Sequence, residues 1–516
     1  MPLFNASETR FVEAVAGLAH CNPFLPERIV CEQAVLGADF DAHLSDWNVR
    51  YEDEHDHPNL QRVLERSEAA LERARERLAR HPDTYTSELP LYEDLLLAVL
   101  YHRHRFGFDE LIATATSRKA GNQAGKLFRT LAGEAERYLA PVAGTSTLAE
   151  QLPHLFAGFF QIRRAFGNIF QLIIGVSRPA VQLRAQVWES IFTHDMRRYR
   201  RTLFARMADY TTLVTGPSGT GKELVAQAIG LSRYIPFDAA AGRFTEDFVG
   251  SFYPINLSAL NATLIESELF GHKRGSFTGA VDDRQGWLEV CPPLGTVLLD
   301  EIGELDSSIQ VKLLRVLQSR QFSRIGETES RQFRGKIIAA TNRNLAAEMR
   351  AGRFREDFYY RLCSDMIEVP GLHARVQDNP AELRHLVGFL AQRAVGADGA
   401  ELADEVVRWI DEHLGLDYAW PGNIRELEQC LRNVLIRRSY VPPTGEPRTA
   451  AITPREELTA ALLDGQLTAD ELLRRYCSLV FAETKSYEAT ARRLKLDRRT
   501  VRAKVDAALV ARLQGA

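Results

Sequence analysis

TTLVTGPSGTGKELVAQAIG, residues 211–230, is the stretch whose reading decides the fold. An apolar run stops at a glycine-rich turn and a helix-prone run follows at once, which is the strand, loop, helix order that a phosphate-binding loop needs. Within GPSGTGKE (216–223), Gly216 is followed by four residues, then Gly221 and Lys222. Glycines allow the backbone to curl so that its amides point inward at phosphate oxygens. The helix N-terminus adds positive potential, and Lys222 reaches the terminal phosphates. The candidate nucleotide-binding set is therefore Gly216, Pro217, Ser218, Gly219, Thr220, Gly221, Lys222 and Glu223. Taken alone, the loop also reads as a plain glycine-rich turn. Position 223 carries Glu instead of the Ser or Thr that usually touches magnesium, so the metal needs a different carboxylate.

GTVLLDE (295–301) supplies one: an apolar strand ending in Asp300, a candidate Mg2+ ligand, and Glu301, a candidate base for water. An isolated Asp-Glu pair at a strand end is more often two solvated acids, but here it lies downstream of a phosphate loop. KIIAATN (336–342) ends in Thr341 and Asn342, which puts further polar groups beside the same strand ends. Three buried-type strands separated by helices predict a parallel α/β sheet covered on both faces, with ligands at the carboxyl ends of its strands. GRFREDFYYRL (352–362) holds Arg355 and Arg361, six apart and so not in phase on one helical face. Such arginines are usually structural or solvated; the sharper reading is fingers that reach a neighbouring subunit's γ-phosphate.

Beyond residue 378 the pattern turns helical, a candidate lid over 378–440. In NPAE, Asn379 reads as a cap with Pro380 at N1 and Glu382 at N3; in WPGNIREL (420–427), Asn423 reads as the cap, Glu426 as N3, and Arg425 as projecting back onto nucleotide. VPPTGEPRTAAITP (441–454) opens a linker over 441–466, and a small helical module fills 467–516. Ahead of the core, 1–171 is all-α. Leu60, Val63, Leu64, Leu71, Ala74 and Leu78 recur at three-to-four spacing, with loop-like HPDTYTSELP and SRKAGNQAG between apolar helices.

The chain has 516 residues, 45% hydrophobic and 26% charged, too apolar for a largely disordered protein and too long for one core. Its net charge of -4 excludes a wholly basic coat protein. Six scattered cysteines without CxxC pairs, and a start lacking a signal-peptide pattern, point to reduced thiols in a cytoplasm. The most apolar stretch, 152–175, is broken by Gln161, Arg163, Arg164 and Gln171, so burial fits it better than a membrane span.

With these residues assembled, 172–438 resembles the AAA+ core of the sigma-54-dependent activators, the bacterial enhancer-binding proteins. The opening IIGVSRPAVQLRAQVWESIF (173–192) is similar to the segment that begins that core, and ELFGHKRGSFTGA (268–280) carries its distinctive loop. The resemblance implies that Phe277 and Thr278 contact the sigma factor and that Asn256 couples Glu301 to nucleotide state. It also implies trans-acting roles for Arg355 and Arg361, a first sensor at Thr341 and Asn342, and a second at Arg425. Trans-acting arginines imply a homo-oligomeric ring hydrolysing ATP with Mg2+, hexameric by the resemblance, with seven members left open. Ser276 stands where the family usually has Ala, and Lys273 where an acid is common. The segment IPFDAAAGRFTEDFVGSFYPIN (235–256) is longer than the family leads one to expect.

At the C-terminus, YEATARRLKLDRRTVRAKV (487–505) is basic and fits two short helices around KLD, with Ala489, Leu494, Leu496 and Val501 as interior. A solvated basic face is the plain reading; the resemblance implies a helix-turn-helix. Arg498, Arg499, Thr500 and Arg502 would then reach double-stranded DNA upstream of a promoter, and sigma-54 RNA polymerase is the implied partner. The front end lacks the β/α alternation of a phosphoreceiver and reads as a helical domain sensing an unidentified signal. His55, Asp56 and His57, with His102 and His104, suggest a metal site, though polar loops collect histidines by chance. Two other classes of function stay open: a DNA-binding regulator of ordinary promoters using nucleotide only for assembly, and a AAA+ unfoldase.

Overall fold

The computed structural model describes residues 2–42, 58–81, 85, 87–114, 120–142, 146–247, 249–259, 261–442, 467–507 and 509–510. These fall into two compact units, 1–404 with 419–432, and 405–418 with 433–516.

Unit one begins with helices α1 (Ala6–His20), α2 (Glu27–Leu36), α3 (Pro58–Arg80), α4 (Leu89–Ala113), α5 (Ala120–Leu139) and α6 (Leu152–Leu172). Asn5 and Glu8 form a reciprocal capping box that starts α1. On α3 the predicted stripe is real: Val63, Leu71, Ala74 and Leu78 are buried, while Leu60 and Leu64 sit half-buried at its margin. Sequence reading placed AGNQAG in a loop, but α5 starts at Ala120, because the amphipathic run that follows carries the turn before it into helix. Among the described residues no helix is long and apolar enough to cross a membrane, and no group of acids, histidines or cysteines could hold a metal. His55, Asp56 and His57 lie outside the described residues. Desolvation of His102, with Arg105 and Arg163 nearby, drives its pKa down to about 3, and His104 bonds Glu134.

After α7 (Arg178–Phe192) comes the α/β core. Strands β1 (Thr212–Thr215), β4 (Phe252–Asn256), β7 (Thr296–Asp300), β10 (Lys336–Thr341) and β11 (Asp365–Glu368) form one parallel sheet in the order β11-β1-β10-β7-β4. Every residue of β10 is buried, as expected of a strand covered on both faces. The register pairs Thr215 with Thr341 and Asn256 with Asp300, so the predicted polar groups emerge along one edge. This is the AAA+ core, with β4 and β11 added to the three strands read from sequence. The helix α8 (Lys222–Gly230) follows the phosphate loop.

The long segment 235–256 folds into a small antiparallel hairpin, β2 (Phe237–Asp238) with β3 (Arg243–Phe244). Its two aromatics leave the core sheet and enter the front helices. Phe237 packs on Phe128 and Phe156 at 4.9 and 4.6 Å between centroids, and Phe244 stacks on Phe160 at 4.2 Å. Gly125 of α5 and Gly242 at the hairpin tip meet so closely that a Cβ on Gly125 would stand 3.0 Å from the Gly242 carbonyl oxygen. Helix α6 closes the same junction from the other side. Gln161 and Arg164 donate to the carbonyls of Ser232 and Arg233, just beyond the C-terminal end of α8. Phe24, between α1 and α2, inserts among Phe166, Phe170 and Trp188. Phe237→Ala is expected to cost about 3 kcal/mol. Urea denaturation, together with faster proteolysis of the front helices, checks it.

Helix α12 (Ala381–Val395) opens the lid. Asn379 does accept the Ala381 amide, but Glu382 does not reach back to complete a capping box. Glu382 is fully buried, and its carboxylate instead accepts the amides of Val176 and Ser177 and pairs with Arg375. Arg375 and Arg184 in turn donate to the carbonyls of Ile174, Ile173 and Gly175, so the strip that opens the core is tied to the lid. The pull of these long-range partners outweighs the local cap.

Unit two contains α14 (Ala469–Thr484), α15 (Tyr487–Leu494) and α16 (Arg498–Lys504), the last two separated by three residues with Lys495 at φ 54°. Two short helices around a three-residue turn match the order read from the sequence. Residues 443–466, most of the linker read from sequence, lie outside the described residues. Ala489 was expected inside but is exposed; the helix is rotated so that Thr490 and Ala491 face inward with Val501. Leu494 and Leu496 are half-buried.

Candidate nucleotide and loop site

The phosphate loop leaves β1 through Gly216 (φ 140°) and turns at Gly219 (φ 76°). A side chain at either position is impossible without movement: a Cβ would lie 2.6 Å from the Val369 oxygen at Gly216 and 2.3 Å from the Gly422 oxygen at Gly219. Pro217 and Thr220 close the loop, the Thr220 hydroxyl donating to the Pro217 carbonyl at 2.9 Å. Gly221 precedes α8, whose first residues are Lys222 and Glu223. The Lys222 ammonium donates to the carbonyls of Gly216 and Pro217, 3.1 Å each. Burial lowers its pKa, while Glu301 and Asp300 nearby push the other way.

Two carboxylates stand at the end of β7. Burial raises the pKa of Asp300, and Lys222 and Arg425 oppose that rise. Glu301 is in the left-handed region at φ 56°, an uncommon conformation for a residue with a side chain. From there one carboxylate oxygen accepts the backbone N–H of Asn342, at the end of β10, at 3.3 Å. The structure does not pair Glu301 with Asn256, whose amide oxygen accepts from the backbone and hydroxyl of Ser258 at 3.0 and 2.8 Å. Thr341 is buried and its hydroxyl accepts the Arg343 amide.

The lid closes over the loop through residues that sequence reading assigned otherwise. Asn423 does not cap α13 (Asn423–Arg437). It is buried, left-handed at φ 52°, and its side chain bridges chain segments, donating to the Ser218 carbonyl at 2.9 Å and accepting the Leu372 amide at 2.8 Å. Glu426 accepts the Gly422 amide, and the Ile424 amide donates to the Gly219 carbonyl. A guanidinium N–H of Arg425 reaches the Ser218 hydroxyl at 3.4 Å, so the expected second-sensor arginine does meet the phosphate loop. One lysine, two carboxylates, a curled amide-rich loop and a lid arginine make a donor set suited to a nucleoside triphosphate with a divalent cation.

Arg355 precedes α11 (Glu356–Leu362) and is held by Asp357 at 2.7 Å; Arg361 lies exposed in its last turn. Neither lies among the groups gathered round Lys222.

GSFTGA caps a short antiparallel ladder, β5 (Gly271–His272) with β6 (Arg284–Gln285). The Gly275 amide bonds the Ala280 carbonyl at 2.9 Å and so closes the loop. Phe277 folds back on His272 at 5.0 Å, while Thr278 is exposed at the tip. Lys273 is paired with Asp283 at 2.8 Å, and Asp283 also accepts the Arg274 amide, so this cation braces the stem of the loop. A Cβ on Gly326 would strike the Ser276 side chain at 2.7 Å.

In unit two, Asp497 caps α16 by accepting the amides of Arg499 and Thr500. Arg498, Arg499 and Arg502 are exposed, and only Arg498 has an acidic partner among the described residues, Glu488 at 3.4 Å.

A family profile described as "Sigma-54 interaction domain" matches residues 192–368. The Nif-specific regulatory protein of Klebsiella pneumoniae is 46% identical over 225 residues, 43% of this chain and 39% of that protein. The transcriptional regulatory protein ZraR of Escherichia coli (strain K12) is 41% identical over 252 residues, 48% of this chain and 52% of that one. The chain thus spans about half or less of the length of these curated relatives. A crystal structure of NtrX from Brucella abortus in complex with ATP aligns with 25% identity over 70% of this chain and 76% of that chain, at a TM-score of 0.38. Over residues 192–368, the chain carries the sigma-54 interaction domain of the sigma-54-dependent transcriptional activators.

Proposed function

We propose that this chain is an ATP-hydrolysing transcription activator that binds upstream DNA and remodels the closed complex of sigma-54 RNA polymerase into an open one. The observation that carries this reading is the presence, in one compact unit, of a lid-covered phosphate loop with Asp300 and Glu301 beside it and a braced loop presenting Thr278. The kinship to regulators named Nif-specific and ZraR supports it. We keep the division 1–171, 172–377, 378–440, 441–466 and 467–516 as regulatory domain, α/β core, lid, linker and DNA-binding domain.

ATP is the substrate. The loop amides and Lys222 orient its phosphates, and Arg425 joins them from the lid. Asp300 would hold Mg2+, which supplies charge neutralisation at the phosphates. Glu301 takes a proton from the attacking water, its carboxylate aimed by the Asn342 amide. Arg355 and Arg361, on the exposed segment around α11, complete the site of a neighbouring subunit, which requires a ring, a hexamer by analogy with the family. Arg498, Arg499, Thr500 and Arg502 contact DNA in the cytoplasm of a bacterial cell, with strongly salt-dependent affinity.

Thr278→Ala tests the coupling. The variant is expected to hydrolyse ATP at the wild-type rate and yield no open complexes in a reconstituted sigma-54 transcription assay. Normal promoter opening by this variant would show that another surface, or another target, is engaged. The reading as a regulator of ordinary promoters predicts instead that blocking hydrolysis leaves regulation intact.

A further inference from the structure

Below the sheet, at the ends of the strands opposite the nucleotide site, lies a cavity of about 190 Å³. Its walls come from Gln161 of α6, the end of α7 and the turns that follow it before β1, the exit of α8 at Ile229 and Ser232, Leu294 ahead of β7 and Lys336 of β10. Tyr199, Phe204, Tyr234 and Leu294 give it an apolar lining. Arg233 and Lys336 are the charged groups in the lining, and no carboxylate accompanies them.

That composition is unusual in a buried place. Lys336 is 3% exposed, and its ammonium spends two of its three N–H groups on the carbonyls of Met207 and Tyr210, 3.3 and 2.9 Å away. Arg233 donates to the carbonyls of Pro293 and Gly295. Neither makes an ion pair among the described residues. Burial drives Lys336 down to about 8 and Arg233 down to about 10; Arg233 and Arg320 lower Lys336 further, and Arg320 also lowers Arg233. Asp365 favours charged Lys336 from an adjoining cavity that Lys336 also lines, together with Glu189, and Glu246 favours charged Arg233; Asp365 accepts from Ser190 and Thr212, Glu246 accepts the Leu294 amide, and none of these acids lines the first cavity. Within this cavity, however, the two cations face no acid, which leaves room for an incoming anion to pair with both. The small volume and carbon-rich walls suit a compact carboxylic acid better than a nucleotide.

We propose that this cavity binds a small organic monocarboxylate, the carboxylate between Arg233 and Lys336 and the apolar body against Tyr199, Phe204 and Tyr234. The cavity reaches the far end of the helix that begins at Lys222, and α6 of the front domain bonds that same end through Gln161. Occupancy therefore changes how firmly α8 is held and, on the proposed function, the rate of ATP turnover. The binding half stands apart from the functional reading; the regulatory half rests on it.

Isothermal titration of the full chain with benzoate and isovalerate, without nucleotide, is the test, with benzamide as the neutral control. Saturable one-to-one binding is expected for a carboxylate at up to about millimolar Kd, with benzamide at least about tenfold weaker. Lys336→Met should lose binding, and so should Ala208→Leu, which fills the lining without changing charge. Absence of saturable binding by both acids, benzamide matching benzoate, or wild-type binding by Ala208→Leu would overturn the site. Unchanged ATP turnover at saturation would overturn the regulatory half alone. If the chain hydrolyses no ATP in any condition, the functional reading fails while the calorimetry still decides the cavity.

Discussion

Glu301→Gln is expected to cut ATP turnover by roughly 10²- to 10⁴-fold, the range for removing a positioned general base, with nucleotide affinity little changed. Gln has the same shape, so its amide oxygen can still accept the Asn342 N–H that now aims Glu301 at 3.3 Å. What is lost is the capacity to take up a proton. Lys222, the loop glycines and Arg425 are untouched, which is why binding survives. Phosphate release under saturating ATP, beside titration of a fluorescent nucleotide analogue, separates the two effects. Turnover close to wild type would remove Glu301 from the chemistry and turn attention to Asp300. Loss of nucleotide binding would mean that the left-handed turn at Glu301 has a structural role at the loop.

Glu382→Ala is expected to destabilise unit one by about 3–5 kcal/mol, the cost of leaving one member of a buried ion pair alone. Glu382 is fully buried and accepts from Val176, Ser177 and Arg375. Its removal strands Arg375, beside Arg184, whose own pKa burial has already lowered to about 10. Glu382→Gln keeps acceptor capacity and loses the charge, so it should fall between wild type and Ala. Urea unfolding measures both. A change below about 1 kcal/mol for the Ala variant, the size typical of a surface pair, would show that water relieves the stranded arginine.

The parts of the site legible in the sequence share one property: their partners are a few residues away. GPSGTGKE states its own backbone geometry, and an apolar strand ending in Asp300 and Glu301 states where its acids go, because a parallel strand ends at the sheet edge. The two short helices near the C-terminus are legible for the same reason, although a pattern only eight residues long misplaces the phase of α15 at Ala489. What was missed is long-range. Asn423 and Glu382 carry the spacing of helix caps, and cap statistics are local. In the fold each is claimed by groups on other segments, Ser218 and Leu372 for one, Val176 and Ser177 for the other. The Asn342 amide as the group aiming Glu301 could have been suspected from two strands ending side by side, had their order been known. Phe237 and Phe244 offered a signal, paired aromatics in an overlong insertion, without an address.

That hairpin alters how the front of the molecule should be regarded. A fragment starting near residue 172 would leave Phe237 and Phe244 in water and strip α6 from the exit of α8, uncovering a contiguous greasy face of the kind that drives association. Poor behaviour of such a fragment would then report on lost covering and say nothing about lost inhibition. The informative truncation removes the hairpin along with the helices it grips, since Phe237 and Phe244 pack on Phe128, Phe156 and Phe160: the two are halves of one joint.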